Sequence, residues 1–213
     1  MKKSFVAVLF LSSFGLAACS NDSPASLHEQ LEQQVKGEEK AFTLADQRAR
    51  KDEISVNTYQ AVLDAGAEEI KRSQNEREEL EALNDERLAL LKQEETLRKE
   101  TYAELDLEEL QDAVNQLDGK AKTEGTALVT IIKERQQTFQ TFSKTYRQAM
   151  DAEKKVLSHL TKKPDFVKID ESTADLNRLT RKATASLKKW NTLTVQYNQT
   201  KTRLYRLLDT STQ

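Results

Sequence analysis

Cysteine, proline, glycine and aromatic residues are all scarce in this chain, and each scarcity removes a class of protein. One cysteine in 213 residues excludes an internal disulfide framework. Two prolines and five glycines are too few for the many turns of a β-sandwich or barrel, and the glycines form no cluster of the kind a phosphate-cradling loop requires. Beyond residue 19 no apolar run approaches the ~18 residues of a membrane span; the longest clear one is 127–132. An excess of charge is missing too, with 33 Lys+Arg against 35 Asp+Glu and a net charge of −2. Such a balance predicts no general affinity for nucleic acid and no polybasic membrane patch. It also argues against disorder, the rival explanation of a hydrophobic content of only 37%, because disorder goes with strong net charge or lost periodicity.

What the chain has in abundance is Ala, Glu, Lys, Leu, Arg and Gln, and 32% of it is charged. The expected fold is all-α: an elongated antiparallel bundle of three to four long helices, or coiled-coil hairpins, each helix burying a narrow stripe.

Residues 1–18 read as a signal peptide. Lys2 and Lys3 form a positive start, and an apolar stretch runs from Phe5 to Leu16, about half the ~20 residues of a membrane-spanning helix. It ends in Leu16-Ala17-Ala18-Cys19, which resembles the lipobox of bacterial lipoproteins. Small residues at 17 and 18 fit a peptidase cleft, and the thiol of the only cysteine stands where a diacylglyceryl group is accepted. The lipobox resemblance implies cleavage after Ala18 and an N-palmitoyl, S-diacylglycerol Cys19, so the expected anchor is lipid. Loss of Lys2 and Lys3 leaves 31 basic residues against 35 acidic ones, a mildly acidic and evenly mixed total. Residues 19–25 are small, polar and Pro-containing, as in a short tether.

Helical periodicity fills residues 26–209, with helices expected over about 26–64, 67–102, 106–161 and 170–208 and a frayed tail at 210–213. Ser26-Leu-His-Glu29 has the form of a capping box. The first seam runs Leu27, Leu31, Val35 or Gln34, Glu38, Phe42, Ala45, Ala49, Asp52, Val56, Tyr59 and Leu63, crossing Gly37. A bend is expected at 64–67. Residues 71–79 carry no apolar side chain and read as a solvated helical face rather than a hinge. The seam resumes through Leu80, Leu83, Leu88 or Arg87, Glu94 and Leu97. Asp106 is a candidate cap, with Leu105 and Leu110 as its staple. The third seam includes Leu110, Val114, Leu128, Arg135, Phe139, Phe142, Tyr146, Glu153 and Val156; Gly119 and Gly125 either loosen it or admit a neighbouring helix. Pro164 marks the clearest stop, and Asp170 or Ser172 restarts the chain as a helix. Folding back at Pro164 is expected to bring Tyr146 near Trp190, Phe139 near Tyr197, and Leu128 near Leu204 or Leu208, making the aromatics one core column.

No constellation of catalytic or metal-ligating residues stands out. His28 and His159 are far apart and share no ligand spacing, and Cys19 is assigned to lipid. The carboxylate pairs, such as Glu38-Glu39 and Glu94-Glu95, sit among Lys and Arg as helical ion pairs do. No G-x-S-x-G elbow exists. The chain therefore reads as a non-enzyme with no cofactor and no metal.

Four segments together with the lipobox carry a family resemblance: 27–42 (LHEQLEQQVKGEEKAF), 76–94 (EREELEALNDERLALLKQE), 142–160 (FSKTYRQAMDAEKKVLSHL) and 190–205 (WNTLTVQYNQTKTRLY). They resemble the YkyA-type cell-wall-binding lipoproteins of Gram-positive bacteria over nearly the whole mature chain. The resemblance implies an exported, lipid-anchored, all-helical protein on the outer face of the cytoplasmic membrane, facing the cell wall. The implied partners are the membrane, through lipid, and peptidoglycan, the wall at large or envelope proteins. It brings no ligand-binding residues with it. Two other expectations compete: a coiled-coil scaffold or regulator of an envelope complex such as a wall hydrolase, which calls for an unpaired apolar stripe along 80–102, and a holdase-like chaperone of exported proteins. Oligomeric state is open, because Arg135, Glu153 and Lys201 can serve a seam within one chain or between chains.

Overall fold

The computed structural model describes residues 24–65, 70–160 and 165–211. These fold as four long helices and one short one: α1 (Pro24–Ala65), α2 (Ile70–Glu104), α3 (Leu107–Asn115), α4 (Gly119–His159) and α5 (Phe166–Ser211). There is no strand among the described residues. Helix α1 pairs with α2 and α4 with α5 along their lengths, each pair antiparallel. The two hairpins close into an up-down-up-down bundle: Asn84 of α2 meets Met150 of α4, and Glu32 of α1 meets Lys201 and Tyr205 of α5. At ~1.5 Å per residue, α5 alone is roughly 70 Å long, so the molecule is a rod.

One end of the rod gathers the start of α1, the end of α5 and all of α3. Leu27, Leu31, Leu110, Val114, Leu128, Leu204 and Leu208 pack there as one cluster. At the other end Val62, Leu80 and Leu157 close the tip, and the Arg77 guanidinium donates to the Leu160 carbonyl at 2.5 Å. Between them lies an aromatic middle with Phe139, Phe142, Tyr146 and Trp190.

Several local expectations are realised. The Asp106 carboxylate accepts from the backbone N–H groups of Glu108 and Glu109, both at 2.9 Å, while Leu105 and Leu110 are buried as its staple. Residues 71–79 lie within continuous helix α2. Gly125 does admit a neighbour: a Cβ placed there would lie 2.8 Å from Cγ2 of Val114, so its bare backbone is what lets α3 lie against α4.

Other expectations need correction. The helix expected over 106–161 is two helices, because the chain breaks at 116–118 and re-enters helix through Gly119 at φ +52°, the left-handed region that favours glycine. Asp118-Gly119 is itself a turn signal, and the turn interrupts the seam between Val114 and Leu128. Helix α1 begins at Pro24, so Ser26 lies inside the first turn and two tether residues are helical; proline's fixed φ suits that first position. Helix α5 begins at Phe166 rather than near 170, because the Asp165 carboxylate accepts from the Lys168 N–H at 3.3 Å and caps it. That bond, with the Lys168 ammonium, holds the Asp165 carboxyl below its usual range. The fold-back expected at Pro164 fits the observed α4–α5 register, but the residue pairs expected from it do not. Phe139 packs on Trp190, with ring centroids 6.1 Å apart, and Arg135 reaches Thr194. The expected pairs Tyr146–Trp190 and Phe139–Tyr197 presuppose a pivot near 168, whereas the helices mirror about 164. Leu128 does share its cluster with Leu204 and Leu208. The bend at 66–67 and Pro164 itself lie outside the described residues.

Candidate functional site

Leu16, Ala17, Ala18 and Cys19, the lipobox residues, all lie outside the described residues. The structure does locate the chain's entry. Helix α1 starts at the rod end that holds α3 and the end of α5, so an anchor at Cys19 would connect to that end. No helix among the described residues is long and apolar enough to cross a membrane.

The polar seam positions converge on the middle of the bundle, where all four long helices contribute. Glu38 of α1 accepts from Arg135 of α4 at 2.7 Å, with side-chain exposures of only 5% and 1%. Next along the rod, Glu94 accepts from Arg98 at 3.0 Å and from Arg48 at 3.3 Å. Beyond that, Arg87 of α2 joins Glu153 of α4 to Asp52 of α1. Asn84 donates to Glu153 at 2.8 Å, and Ser55 donates to the same carboxylate at 3.1 Å. Four buried arginines thus meet Glu38, Glu94, Glu153 and the half-exposed Asp52, and the seam is near neutral.

Aromatic rings fill the remaining faces of these arginines. The Arg98 guanidinium carbon lies 4.4 Å from the Trp190 ring centroid, 4.6 Å from Phe139 and 5.0 Å from Phe42. Arg48 sits between Phe142 at 4.8 Å and Tyr146 at 4.9 Å, and Arg135 lies 4.7 Å from Tyr197. A planar guanidinium can stack on rings while it bridges carboxylates in its own plane, which suits arginine and not lysine to these positions. Burial alone would lower the Arg135 and Arg87 values, but Glu38 and Glu153 respectively turn both shifts upward, so both arginines stay charged. Burial pushes the Tyr102 phenol up to about 12, with Glu38 adding to the rise, and it raises Tyr146 and Tyr197 as well. All three are neutral; Tyr146 donates to Asp52 at 2.5 Å and Tyr197 to Gln34 at 3.2 Å.

This seam is built to hold helices together. Its four arginines are matched by four carboxylates, and Arg135 and Glu153, open between two roles in the sequence, pair within the chain. Lys201 likewise pairs with Glu32. The stripe along 80–102 is also taken: Leu80, Leu83 and Leu91 are buried in the bundle, which removes the exposed face that a scaffold would have used. No group of three or more His, Cys, Asp or Glu with metal-binding proximity exists among the described residues. His28 stacks on Tyr205 at 4.4 Å, and His159 ends α4. An open groove beside the start of α4 is lined by Lys122, Thr126, Ala127, Thr130, Ile131 and Glu134. Its threonine hydroxyls donate to the carbonyls four residues back, leaving methyl groups outward.

The surface departs from the evenly mixed charge expected. Residues 26–118 hold 12 Lys+Arg against 25 Asp+Glu, whereas residues 119–209 hold 19 against nine. The near-neutral total is the sum of an acidic half, α1 to α3, and a basic half, α4 and α5. The extreme is α5, where residues 176–208 contain eight basic side chains and no acidic one. Counting charge by segment rather than over the whole chain would have revealed it from the sequence.

Comparison with known proteins gives two positive results. A family model described as "YkyA: Putative cell-wall binding lipoprotein" matches residues 22–207. A crystal structure of a conserved protein of unknown function from Staphylococcus aureus superposes with a TM-score of 0.66 at 16% identity, covering 88% of this chain and 97% of that one. That likeness supports the bundle fold. No curated protein sequence matches.

Proposed function

From the premise that this chain belongs to the YkyA family, whose members are described as cell-wall binding lipoproteins, we propose that it is a lipid-anchored rod that reaches from the membrane into the wall and binds there. The family match over residues 22–207 carries this reading. In it, Cys19 bears the lipid on the outer face of the cytoplasmic membrane, and the bundle stands on the end from which α1 starts. Its length of roughly 70 Å supplies reach, and its outer helical faces supply the contact area. The activity in this reading is adhesion or spacing.

Two measurements test this. Cys19→Ser in the full-length chain should move the protein from the membrane fraction to the soluble extracytoplasmic fraction; retention in the membrane would refute the anchor. Residues 19–213 with the same substitution, which cannot be lipidated, should co-sediment with purified cell walls stripped of protein. Failure to co-sediment would refute wall binding.

A further inference from the structure

We propose that α5 carries the wall-binding surface and that its ligand is an anionic phosphodiester polymer of the wall; this deepens the wall-binding reading and rests on it. The surface is a row of exposed cations on α5: Arg181, Lys182, Lys188 and Lys189. The two doublets stand seven residues apart, which on a helix places them on one face, about 10 Å from each other.

Three observations distinguish this row from an ordinary solvated face. First, none of the four cations forms an ion pair among the described residues. The ion pairs of α5 are made elsewhere along it, by Lys168, Arg178, Lys201 and Arg203. Exposed lysines without an ion pair also occur on α1 and α2, at Lys36, Lys40, Lys92 and Lys99, but each of these has an acid within four residues on its own helix and the α5 row has none. Second, the adjoining stretch of α4 does not compensate it. The Phe139–Trp190 contact and the Arg135–Thr194 bond set residues 139–147 of α4 beside 181–189 of α5. That stretch has no acid and adds the exposed Lys144. Third, like charges at this spacing repel one another in the folded rod, and an external polyanion relieves that repulsion.

The geometry favours a polymer over a bilayer surface. The row lies about 15 to 23 residues, roughly 22–35 Å, along α5 from Leu204, which packs at the rod end where α1 begins. That end is acidic on balance: Asp106, Glu108, Glu109, Asp112 and Asp118 of residues 105–118 outnumber the neighbouring Lys120, Lys122 and Arg206, and Arg203 is paired with Glu124. Anionic headgroups would repel it and keep the rod from lying down on its basic flank. A flexible chain of phosphodiesters, by contrast, can run along the rod and place a phosphate on each doublet.

The test uses residues 19–213 with Cys19→Ser, and soluble poly(glycerol phosphate) as the probe. Four to five cations each displacing a counterion give a log–log salt slope of about −3, taking the value for flexible single strands, so affinity should fall about 60-fold between 50 and 200 mM salt. The quadruple variant R181Q/K182Q/K188Q/K189Q, all at exposed positions, should bind at least tenfold more weakly with unchanged helicity. The matched variant K36Q/K40Q/K92Q/K99Q removes the same charge from exposed positions on α1 and α2 and should bind within about twofold of wild type. Equal losses in the two variants would reduce the effect to net charge and overturn the assignment. Binding to phosphatidylglycerol vesicles in preference to the polymer, or salt-sensitive self-association abolished by the α5 variant, would overturn it in favour of a membrane or a second copy. Equal co-sedimentation with intact walls and with walls stripped of anionic polymer would overturn the ligand and leave wall binding standing. No co-sedimentation with either would overturn both.

Discussion

Glu38 is the most informative position to perturb, because its partner has nowhere to go. Arg135 is 1% exposed, 2.7 Å from the Glu38 carboxylate, and enclosed by Trp190 and Tyr197. Two unit charges ~4 Å apart at an effective dielectric of ~20 interact by about 4 kcal/mol. Removing one member of such a pair leaves the other desolvated, and measured costs for this are about 3–5 kcal/mol. Glu38→Ala should therefore destabilise the bundle by about 3–5 kcal/mol, well above the cost of trimming an exposed glutamate. Unfolding entropy of ~2.1 cal/mol/K per residue over some 190 residues is about 0.4 kcal/mol/K, so the melting temperature should fall by roughly 8–12 °C. The assay is urea denaturation followed by helical circular dichroism, with the midpoint shift read at constant slope. The double substitution Glu38→Leu with Arg135→Met replaces the pair by apolar groups of similar length. It should recover most of the loss or exceed wild type, as buried pairs elsewhere do. A loss under about 1 kcal/mol for Glu38→Ala, or a double variant no better than the single, would show that water reaches the seam and that the reasoning about its energetics is wrong.

Three further outcomes are expected. Gly119→Ala should cost about 1 kcal/mol from the left-handed backbone alone, since nothing lies within 4 Å of the added Cβ, and Gly119→Asn should recover part of it; equal stability of all three would mean the α3–α4 turn relaxes. Asp106→Ala should cost about 1 kcal/mol by orphaning two N–H groups and Asp106→Asn much less, measured by the same denaturation; an alanine variant as stable as wild type would show that the cap contributes nothing. The tyrosines make the bundle alkali-sensitive. Tyr102 has a value of about 12 in the folded state against 10 when exposed, so its contribution is complete below pH 10 and lost as pH rises through 12, amounting to about 3 kcal/mol. Phenolate absorbance should lag that of free tyrosine and then rise together with loss of helicity; ionisation of all five tyrosines near pH 10 with the helices intact would contradict this.

Residue spacing shows the helices and their stripes, and even the polar exceptions in them: Glu38, Glu94, Arg135 and Glu153 all stand at seam positions. Which of them meet is not legible, because arginine and glutamate reach across the bundle between helices whose relative register depends on where each turn begins. The α4–α5 register is that of a fold-back near 164, and it brings Trp190 onto Arg98 and Phe139. The charge division was legible but hidden by the whole-chain total, and in the folded molecule it becomes a principle of assembly. Four of the pairs that join the hairpins take their base from α4 or α5 and their acid from α1 or α2: Arg135 with Glu38, Arg147 with Glu95, Lys154 with Asp85, and Lys201 with Glu32. Arg87 with Glu153 runs the other way, inside the seam. Docking of the acidic hairpin therefore neutralises the faces of α4 and α5 that it covers. Part of the surplus stands exposed along α5, where Arg181, Lys182, Lys188 and Lys189 have no acid within four residues. A bundle that only needed to hold itself together would gain nothing from leaving those four cations unmatched, and a rod that must grip an anionic wall polymer would.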